Sequence, residues 1–472
     1  MATSPISGAG VIDVNSIVSQ LMAVERQPLS RMQTSLNGIQ TQLSEVGKLQ
    51  GALDAFRSAA RGLTQLDTWR AARATSSDSD QVAASASSGA LAGNYAVEVD
   101  ELAQYQTIVT GPHADPDAAI GGGTLTIQLG SEATPGGGGF IADPGRAAIG
   151  VPIPDGATLA DIRNAINDLD TGVTASIVTD ANGTRLMLRS TESGANQAFS
   201  VTVDDNDNTD GDDAGLSQLR YEPAGTYTQI SRVQTASDAS FSINGLSLAS
   251  STNSPEGAIE NVTLNLRQKT SSPVEIGIET DAEAIRAKVD AFVSAYNELN
   301  SLIRTQTRFD ADTGTAGPMQ GNRTVLLIQS RLRETLRASV DEVGIGNLSD
   351  IGIRVQRDGS LAVDSGSFKA ALADPEQLQA FFAADDPDPN RIGIARRLDT
   401  LVGEILGVDG AITSATDSLQ ARKESITDQQ DRFNLRLTQI EARLRRQYTA
   451  LDSNLSNLQG SLASIAQLTN SS

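Results

Sequence analysis

The sequence predicts an α+β multidomain protein in which long terminal α-helices pair as a helical bundle or coiled-coil stalk, with antiparallel β-rich head domains inserted between them. Three observations predict this class. Proline is absent from residues 29–111 and 390–472, so long helices are permitted at both ends. Apolar side chains recur there at steps of three or four, whereas several central segments alternate apolar and polar side chains. The two apolar stripes can bury each other only if the chain ends meet.

The N-terminal part is expected to begin with a flexible segment, residues 1–28. This segment has no basic region followed by an apolar one, so it is not a Sec-type signal peptide, although other export routes read uncleaved N-termini. Pro28 suits the first turn of a helix. The N-terminal stalk helix is predicted over residues 29–73, and its apolar seam contains Leu36, Ile39, Leu43, Val46 and Leu53.

The central part is predicted to hold two β-rich head domains. Residues 74–120 and 235–280 form a discontinuous first domain, with alternating strands such as 94–99, 262–266 and 274–278. Residues 121–234 form an inserted second domain with a strand at 124–129 and a short helix from about residue 158. Thr158 is a plausible N-cap of that helix, with Asp161 at its third position.

The chain then returns to helix. Residues 281–412 are predicted as a helical stalk domain with a β-hairpin at 351–363 that turns at Asp358-Gly359. Residues 413–472 are predicted as a C-terminal coiled-coil helix about 80 Å long. Its seam alternates steps of three and four and contains Phe433, Leu437, Ile440, Leu444, Tyr448, Leu451, Leu455 and Leu458. Each terminal stripe is equally compatible with an ordinary bundle core.

Composition excludes several chemistries. The chain has 472 residues, no cysteine and one histidine, His113, which removes thiol catalysis, iron–sulfur clusters and zinc sites with cysteine ligands. A net charge of −22 disfavours nucleic-acid binding. No stretch is long and apolar enough to span a bilayer. No catalytic residue, metal ligand or cofactor is expected, and an enzyme is the least favoured class.

Two segments differ in charge from the rest of the chain. Residues 204–213 hold six aspartates, and a calcium loop starting at Asn206 would place Gly211 at position six, but position twelve is Ser217 rather than glutamate. A solvated acidic loop is therefore preferred. Residues 421–448 carry seven basic and four acidic side chains. Arg443, Arg445 and Arg446 in this stretch either form a solvated helix face or contact an acidic partner.

Several blocks of the sequence resemble a known family when they are taken together. The sequence resembles the flagellar hook-associated protein 2 family, the filament cap proteins, in DVNSIVSQLM at 13–22, GNYAVEV at 93–99, LAQ at 102–104, AFVSAYNELN at 291–300, LSDIGI at 348–353 and DGSL at 358–361. The inserted motif shared by flagellins and hook-associated proteins is similar to GGTLTI at 122–127, LADIRNAIN at 159–167 and VTASIV at 173–178. These blocks cover nearly the whole chain in the family's order.

The resemblance implies a secreted, extracellular protein at the distal tip of the flagellum. It implies export through the flagellar type III apparatus with a chaperone at the C-terminal helix, and a ring of about five copies that inserts flagellin at the tip and prevents its loss. The seam residues would then contact other copies, the filament or the chaperone, and hook-associated junction proteins would be neighbours. The alternatives are a flagellin-like filament subunit, or an adhesin whose head domains bind host glycans.

Overall fold

Two compact units make up the chain in the computed structural model, which describes residues 13–134, 139–207, 209–210, 212–312, 314–341 and 344–469, with side chains through 462. Arg70–Ala282 forms one unit, and the chain up to Trp69 together with the chain from Glu283 forms the other. Segments from both ends of the sequence therefore build one helical unit.

The N-terminal part of the helical unit contains three helices, α1 (Val14–Glu25), α2 (Gln27–Thr64) and α3 (Leu66–Trp69). Asp13 caps α1 because its side chain accepts a hydrogen bond from the Ser16 N–H at 3.1 Å. Pro28 lies in the first turn of α2, as predicted. Residues 14–25 were expected to be flexible, and the structure instead has a helix there. A helix of 12 residues is marginal alone, so α1 depends on packing.

The other unit is built from antiparallel sheets. In chain order its elements are β1 (Ala72–Ser76), β2 (Val82–Ala86), β3 (Gly93–Glu101), β4 (Thr107–Thr110), β5 (Gly121–Glu132), β6 (Phe140–Ala142), β7 (Ile149–Ala157), α4 (Leu159–Asn167), β8 (Val173–Asp180), β9 (Gly183–Ser190), β10 (Ala198–Asp205), β11 (Ile230–Gln234), β12 (Ala239–Ile243), β13 (Leu246–Ser250), β14 (Val262–Leu266) and β15 (Val274–Thr280). The predicted strands at 94–99, 124–129, 262–266 and 274–278 all lie within these elements.

Two separate hydrophobic cores lie within this β-rich unit. One belongs to the sheet β1-β15-β3-β12-β13 with the pair β14-β2, and it buries side chains such as Val97, Phe241 and Ile276. The other belongs to the sheets β10-β5-β6 and β11-β4-β9-β8, with β7 paired to β5 and α4 packed on it. β4 was expected in the first domain, but it pairs with β9 and β11, so the inserted body begins near residue 107 rather than 121.

Helix α4 shows the predicted capping arrangement. The Thr158 Oγ1 accepts from the Asp161 N–H at 3.3 Å, and the Asp161 carboxylate accepts from the Thr158 N–H at 3.0 Å. The hydrogen bond that the Asp161 carboxylate accepts from the backbone N–H of Thr158, followed by the one it accepts from the Thr158 hydroxyl at 2.8 Å, keeps the pKa of Asp161 below its usual range. Leu159, Ile162 and Ile166 then face the core of the inserted body.

The chain re-enters the helical unit through α5. Its elements are α5 (Ala282–Thr307), β16 (Phe309–Asp310), β17 (Thr315–Ala316), α6 (Arg323–Arg337), β18 (Ile353–Val355), β19 (Leu361–Val363), α7 (Ser365–Ala371), α8 (Pro375–Ala383), α9 (Ile394–Leu406) and α10 (Ala411–Thr469). The predicted hairpin is the pair β18-β19, and Gly359 in its turn has φ of 83°. The C-terminal helix begins at Ala411, two residues before the predicted start.

Aromatic side chains join the two halves of the helical unit. Phe56 on α2 is fully buried, and its ring centroid lies 5.3 Å from that of Phe292 and 5.7 Å from that of Tyr296 on α5. Trp69 stacks on Phe382 at 5.3 Å, and its Nε1 donates to the Leu63 carbonyl at 2.9 Å. The N-terminal segment is thereby fixed to helices that follow more than 200 residues later.

Candidate functional site

The candidate site is the surface formed by α1, α2 and α10, where most of the seam residues predicted from the sequence lie. Val18 and Met22 on α1 and Leu437 on α10 are buried against one another. Six partly buried side chains surround them: Val14, Leu29, Phe433, Ile440, Leu444 and Tyr448. The C-terminal seam from Phe433 to Tyr448 is therefore covered by the chain's own α1 and the start of α2.

Polar contacts establish that the N-terminal helices run antiparallel to α10. Arg445 Nη1 donates to Asn15 Oδ1 at 3.1 Å, and Gln430 Nε2 donates to Gln33 Oε1 at 3.1 Å. Asn15, near the start of α1, therefore lies beside a later part of α10 than Gln33 of α2 does. These groups are exposed, so each contact contributes little free energy and the small apolar core provides most of the attraction.

The seam of α2 divides into two parts with different surroundings. Ile39, Val46 and Leu53 are buried inside the helical unit, where α2 packs against α9 and α10. Such side chains serve the ordinary bundle core of this folded chain, and their contact with another protein remains a prediction. Leu36 and Leu43 are half-buried.

An open groove separates part of α2 from the start of α10. It has a volume of about 700 Å³ and is lined by Leu43 with polar side chains from both helices, including Gln40, Gln420, Lys423 and Asp428. Leu43 is the only seam residue that lines it. The mixture of carboxylate, ammonium and amide groups over a single leucine makes this a solvated gap rather than an apolar docking groove.

Beyond Tyr448 the seam of α10 is largely exposed among the residues that the structure describes. Leu451 is 44% exposed, Leu458 is 59% exposed and Leu462 is 64% exposed, while Leu455 is half-buried. Large apolar side chains repeated along one face of a helix mark an interaction surface more often than isolated exposed ones do. The predicted contact of this end of α10 with a partner remains a prediction.

The three arginines predicted to meet an acidic partner have different surroundings. Arg445 bonds the Glu441 carboxylate on its own helix at 3.1 Å as well as Asn15 on α1. Arg446 Nε donates to the Ala442 carbonyl at 3.2 Å. Arg443 is exposed. Arg445 thus stabilises the contact between α1 and α10, and the other two lie on the solvent side.

The aspartate-rich segment 204–213 is only partly described, because Asn208 and Gly211 lie outside the described residues. Asp205 Oδ2 accepts from the Ser217 N–H at 3.0 Å, and Asp210 Oδ1 accepts from the Asp205 N–H at 2.8 Å. These carboxylates act as backbone acceptors in a turn. In the part of the chain that the structure describes, no group of three histidine, aspartate or glutamate side chains is placed to hold a metal ion.

Sequence reasoning missed α1, although its signals are present. Asp13 is a standard N-cap residue, and the apolar positions Val14, Val18 and Met22 follow at steps of four. These positions form the apolar side of a three-turn helix.

Comparison with known proteins gives family matches along most of the chain. Residues 11–106 match the family described as flagellar hook-associated protein 2 N-terminus, and residues 236–460 match flagellar hook-associated protein 2 C-terminus. Residues 124–192, inside the β-rich unit, match the flagellin hook IN motif. The order of these matches is the order in which the sequence blocks occur.

Individual relatives cover almost the whole chain. An A-type flagellar hook-associated protein 2 of Pseudomonas aeruginosa is 29% identical, over 97% of this chain and 95% of its own length. The flagellar hook-associated protein 2 of Escherichia coli K12 is 28% identical, over 98% of this chain and 97% of its own. A crystal structure of the D1-D2-D3 domains of the flagellar cap protein FliD from Escherichia coli aligns with a TM-score of 0.64 at 28% identity, covering 80% of this chain and 99% of that one.

Proposed function

Because this chain belongs to the flagellar hook-associated protein 2 family, we propose that it caps the flagellar filament at its distal tip and is an assembly factor rather than an enzyme. The observation that carries this proposal is similarity over nearly the full length, which includes both terminal helical segments and the β-rich unit. A flagellin-like filament subunit is less well supported, because only residues 124–192 match a motif named for flagellin. No observation specifically favours an adhesin that binds host glycans.

The proposed mechanism is geometric. Copies of the chain assemble into a closed ring of about five subunits, and the terminal helices contact the growing end of the filament. Flagellin would fold beneath this ring and insert into the lattice. The free energy would come from burial of flagellin surface in the filament, so the mechanism needs neither a nucleotide nor a catalytic residue.

The remaining partners follow from the same proposal. The chain would be secreted to the extracellular tip through the flagellar type III apparatus, with an export chaperone bound to α10 and hook-associated junction proteins as neighbours in the flagellum. A chain without cysteine suits passage in an unfolded state, since no disulfide can form on the way. Arg443 and Arg446 are the arginines we expect to face an acidic partner, because Arg445 already pairs with Glu441.

The test is flagellin polymerisation in vitro. Purified chain is added to flagellin with short filament seeds, and elongation is followed by light scattering and negative-stain electron microscopy. We expect faster growth and closed rings at filament ends. Open helical polymers of the chain itself would instead identify a filament subunit, and absence of both rings and any effect on elongation would reject the capping function.

A further inference from the structure

Two chain segments connect the two hydrophobic cores of the β-rich unit. The first body holds strands β1, β2, β3 and β12 to β15, and the inserted body holds residues 107–234. Gln104 lies on the segment that enters the inserted body, and Ser237 lies on the segment that leaves it. The Gln104 N–H donates to the Ser237 carbonyl at 2.8 Å, and the Ser237 N–H donates to the Gln104 carbonyl at 3.2 Å. The two segments therefore form one narrow ribbon, and a two-stranded ribbon by itself is a weak joint.

A loop of the inserted body makes further hydrogen bonds to the first body. This loop, residues 193–195, lies between β9 and β10. The Ala195 N–H donates to Asp238 Oδ1 at 2.7 Å, immediately before β12. The Ser193 hydroxyl donates to the Ser251 carbonyl at 2.9 Å, immediately after β13. The bond to Asp238 has a carboxylate acceptor, which makes it stronger than a neutral hydrogen bond. Ser193 is 8% exposed, so its bond is largely shielded from water.

Gly194, at the centre of this loop, leaves no space between the two bodies. A Cβ atom on Gly194 would lie 2.7 Å from the Ser251 Cβ and 2.9 Å from the Ser251 carbonyl oxygen. Carbon atoms in favourable contact are about 3.5 to 4 Å apart, so any side chain here would push the loop away from the first body. The φ of Gly194 is 115°, a conformation that also favours glycine.

The loop reaches a part of the first body that the ribbon does not include. The end of β3, the start of β12 and the end of β13 lie side by side at one edge of the sheet, in that order. The ribbon continues from β3 and β12, whereas Ser251 follows β13. The loop therefore adds a third strand end to the joint, and a third attachment restricts the rotation that a ribbon of two strands leaves open.

We propose that residues 193–195 are a latch that holds the inserted body in one orientation on the first body. The ribbon alone would act as a hinge, and the latch stops movement about it. The two bodies then move as one piece. The surface that they present together is fixed before any partner binds, so binding does not have to include the cost of ordering the two bodies.

The absence of cysteine makes a direct test possible, because introduced thiols are the only ones in the chain. Spin labels are attached to full-length chain that carries Thr174→Cys on β8 and Ser247→Cys on β13, both at exposed positions. Double electron–electron resonance then gives the distribution of distances between the inserted body and the first body. We expect one narrow distribution for the chain with an intact latch.

Gly194→Ala in the labelled chain should widen this distribution at least about twofold, because its methyl group overlaps Ser251 and opens the latch. The matched control is Gly156→Ala, also in the inserted body. Gly156 has φ of 76°, so alanine is strained there too, but its Cβ would meet nothing within 4 Å. The control should keep the narrow distribution.

A second pair of variants adds no atoms to the joint. Asp238→Ala removes the acceptor of the Ala195 N–H and should also widen the distribution, whereas Asp238→Asn keeps a side-chain oxygen and should stay close to the parent. Far-ultraviolet circular dichroism should be unchanged in all four variants, since none of them alters a core side chain.

Three results would overturn the latch. A broad distribution in the parent would mean that the two bodies move freely. A narrow one in both Gly194→Ala and Asp238→Ala would mean that the ribbon alone fixes the orientation. Equal widening in Gly156→Ala would attribute the change to strain in general. The measurement uses this chain alone, so its outcome is independent of whether the chain promotes flagellin polymerisation.

Discussion

The side-chain amide of Asn297 makes two hydrogen bonds with the backbone of Leu361. Its Nδ2 donates to the Leu361 carbonyl at 2.9 Å, and its Oδ1 accepts from the Leu361 N–H at 2.7 Å. Asn297 lies on α5 and Leu361 on strand β19, 64 residues later. The amide therefore takes the place of a neighbouring strand at the edge of the two-stranded hairpin, and it fixes that hairpin onto the helix.

Replacement of this amide should destabilise the helical unit. Asn297→Ala leaves a partly buried N–H and carbonyl without partners, so we expect the free energy of unfolding to fall by about 2 kcal/mol. The reporter is the fluorescence of Trp69, the single tryptophan, which is buried in the same unit. Ser294→Ala, on the exposed face of the same helix, is the control and should change stability by less than about 0.5 kcal/mol. If Asn297→Ala lowered the free energy of unfolding no more than Ser294→Ala does, the stabilising role of the Asn297 amide would be contradicted.

A charged contact joins α2 to α9 and should make stability depend on pH. Arg57 Nε donates to Asp399 Oδ1 at 2.7 Å, and Arg61 Nη2 reaches the same oxygen at 3.2 Å. Burial alone would raise the pKa of Asp399, but the hydrogen bonds from Arg57 and Arg61 outweigh it and lower that pKa. Because the folded-state pKa is the lower one, the contribution is complete above the unfolded-state pKa and is lost as pH falls through the folded-state value.

Asp399→Asn should therefore reduce stability near pH 7 by about 1 kcal/mol, and it should have a smaller effect in acid, where the parent carboxylate is protonated. Urea unfolding of the protein, followed by Trp69 fluorescence at pH 7 and at pH 3, gives the stability change at both pH values. Asp290→Asn removes the exposed pair with Arg286 and serves as the control, with an expected change below about 0.5 kcal/mol at either pH. An equal loss for Asp399→Asn at both pH values would show that charge is not the cause.

The aromatic contact between the two halves of the helical unit should be the most costly to remove. Phe56→Ala deletes a fully buried ring beside Phe292 and Tyr296, so we expect a loss of about 3 to 5 kcal/mol in the free energy of unfolding. Phe309→Ala is the matched control because that ring is 56% exposed. If both variants unfolded at the same urea concentration as the parent, the packing described here would be incorrect.

The N-cap of α4 gives a test within the β-rich unit. Thr158→Ala removes the hydroxyl that accepts from the Asp161 N–H, and we expect a loss of about 1 kcal/mol. Thr158→Ser keeps the acceptor and should remain within a few tenths of a kcal/mol of the parent, that is, below about 0.5 kcal/mol. The measurement is urea unfolding followed by far-ultraviolet circular dichroism. Equal effects of alanine and serine would attribute the change to the lost methyl group instead of the cap.

Helix α1 should detach from α10 when its small core is charged. Met22→Asp places a carboxylate against Val18 and Leu437, and hydrogen exchange of the α1 amides should then approach that of an unstructured segment. Ser19→Asp, exposed on the same helix, is the control and should leave exchange unchanged. Trp69 fluorescence should stay that of the parent in both variants. Persistent protection of α1 in Met22→Asp would show that other contacts hold the helix.

Local patterns in the sequence were sufficient to predict the elements whose geometry depends on residues close together in the chain. Steps of three and four predicted α2 and α10, alternation predicted strands such as β14, and Asp358-Gly359 predicted the turn of the hairpin. Thr158 and Asp161 predicted the start of α4. Each of these features depends on residues a few positions apart, and their backbone geometry is the same in any fold.

The choice of partner for each element was decided only by the tertiary structure. The helix α2 packs against both α9 and α10, with Phe56 against Phe292 on α5, and the stripe on α10 is covered by α1 only as far as Tyr448. β4 lies with the inserted body, and Asn297 completes a hairpin 64 residues away. Burial of apolar surface has no direction, so a stripe shows that a residue will be covered without showing what covers it. That choice depends on contacts between residues far apart in the sequence, which periodicity does not encode.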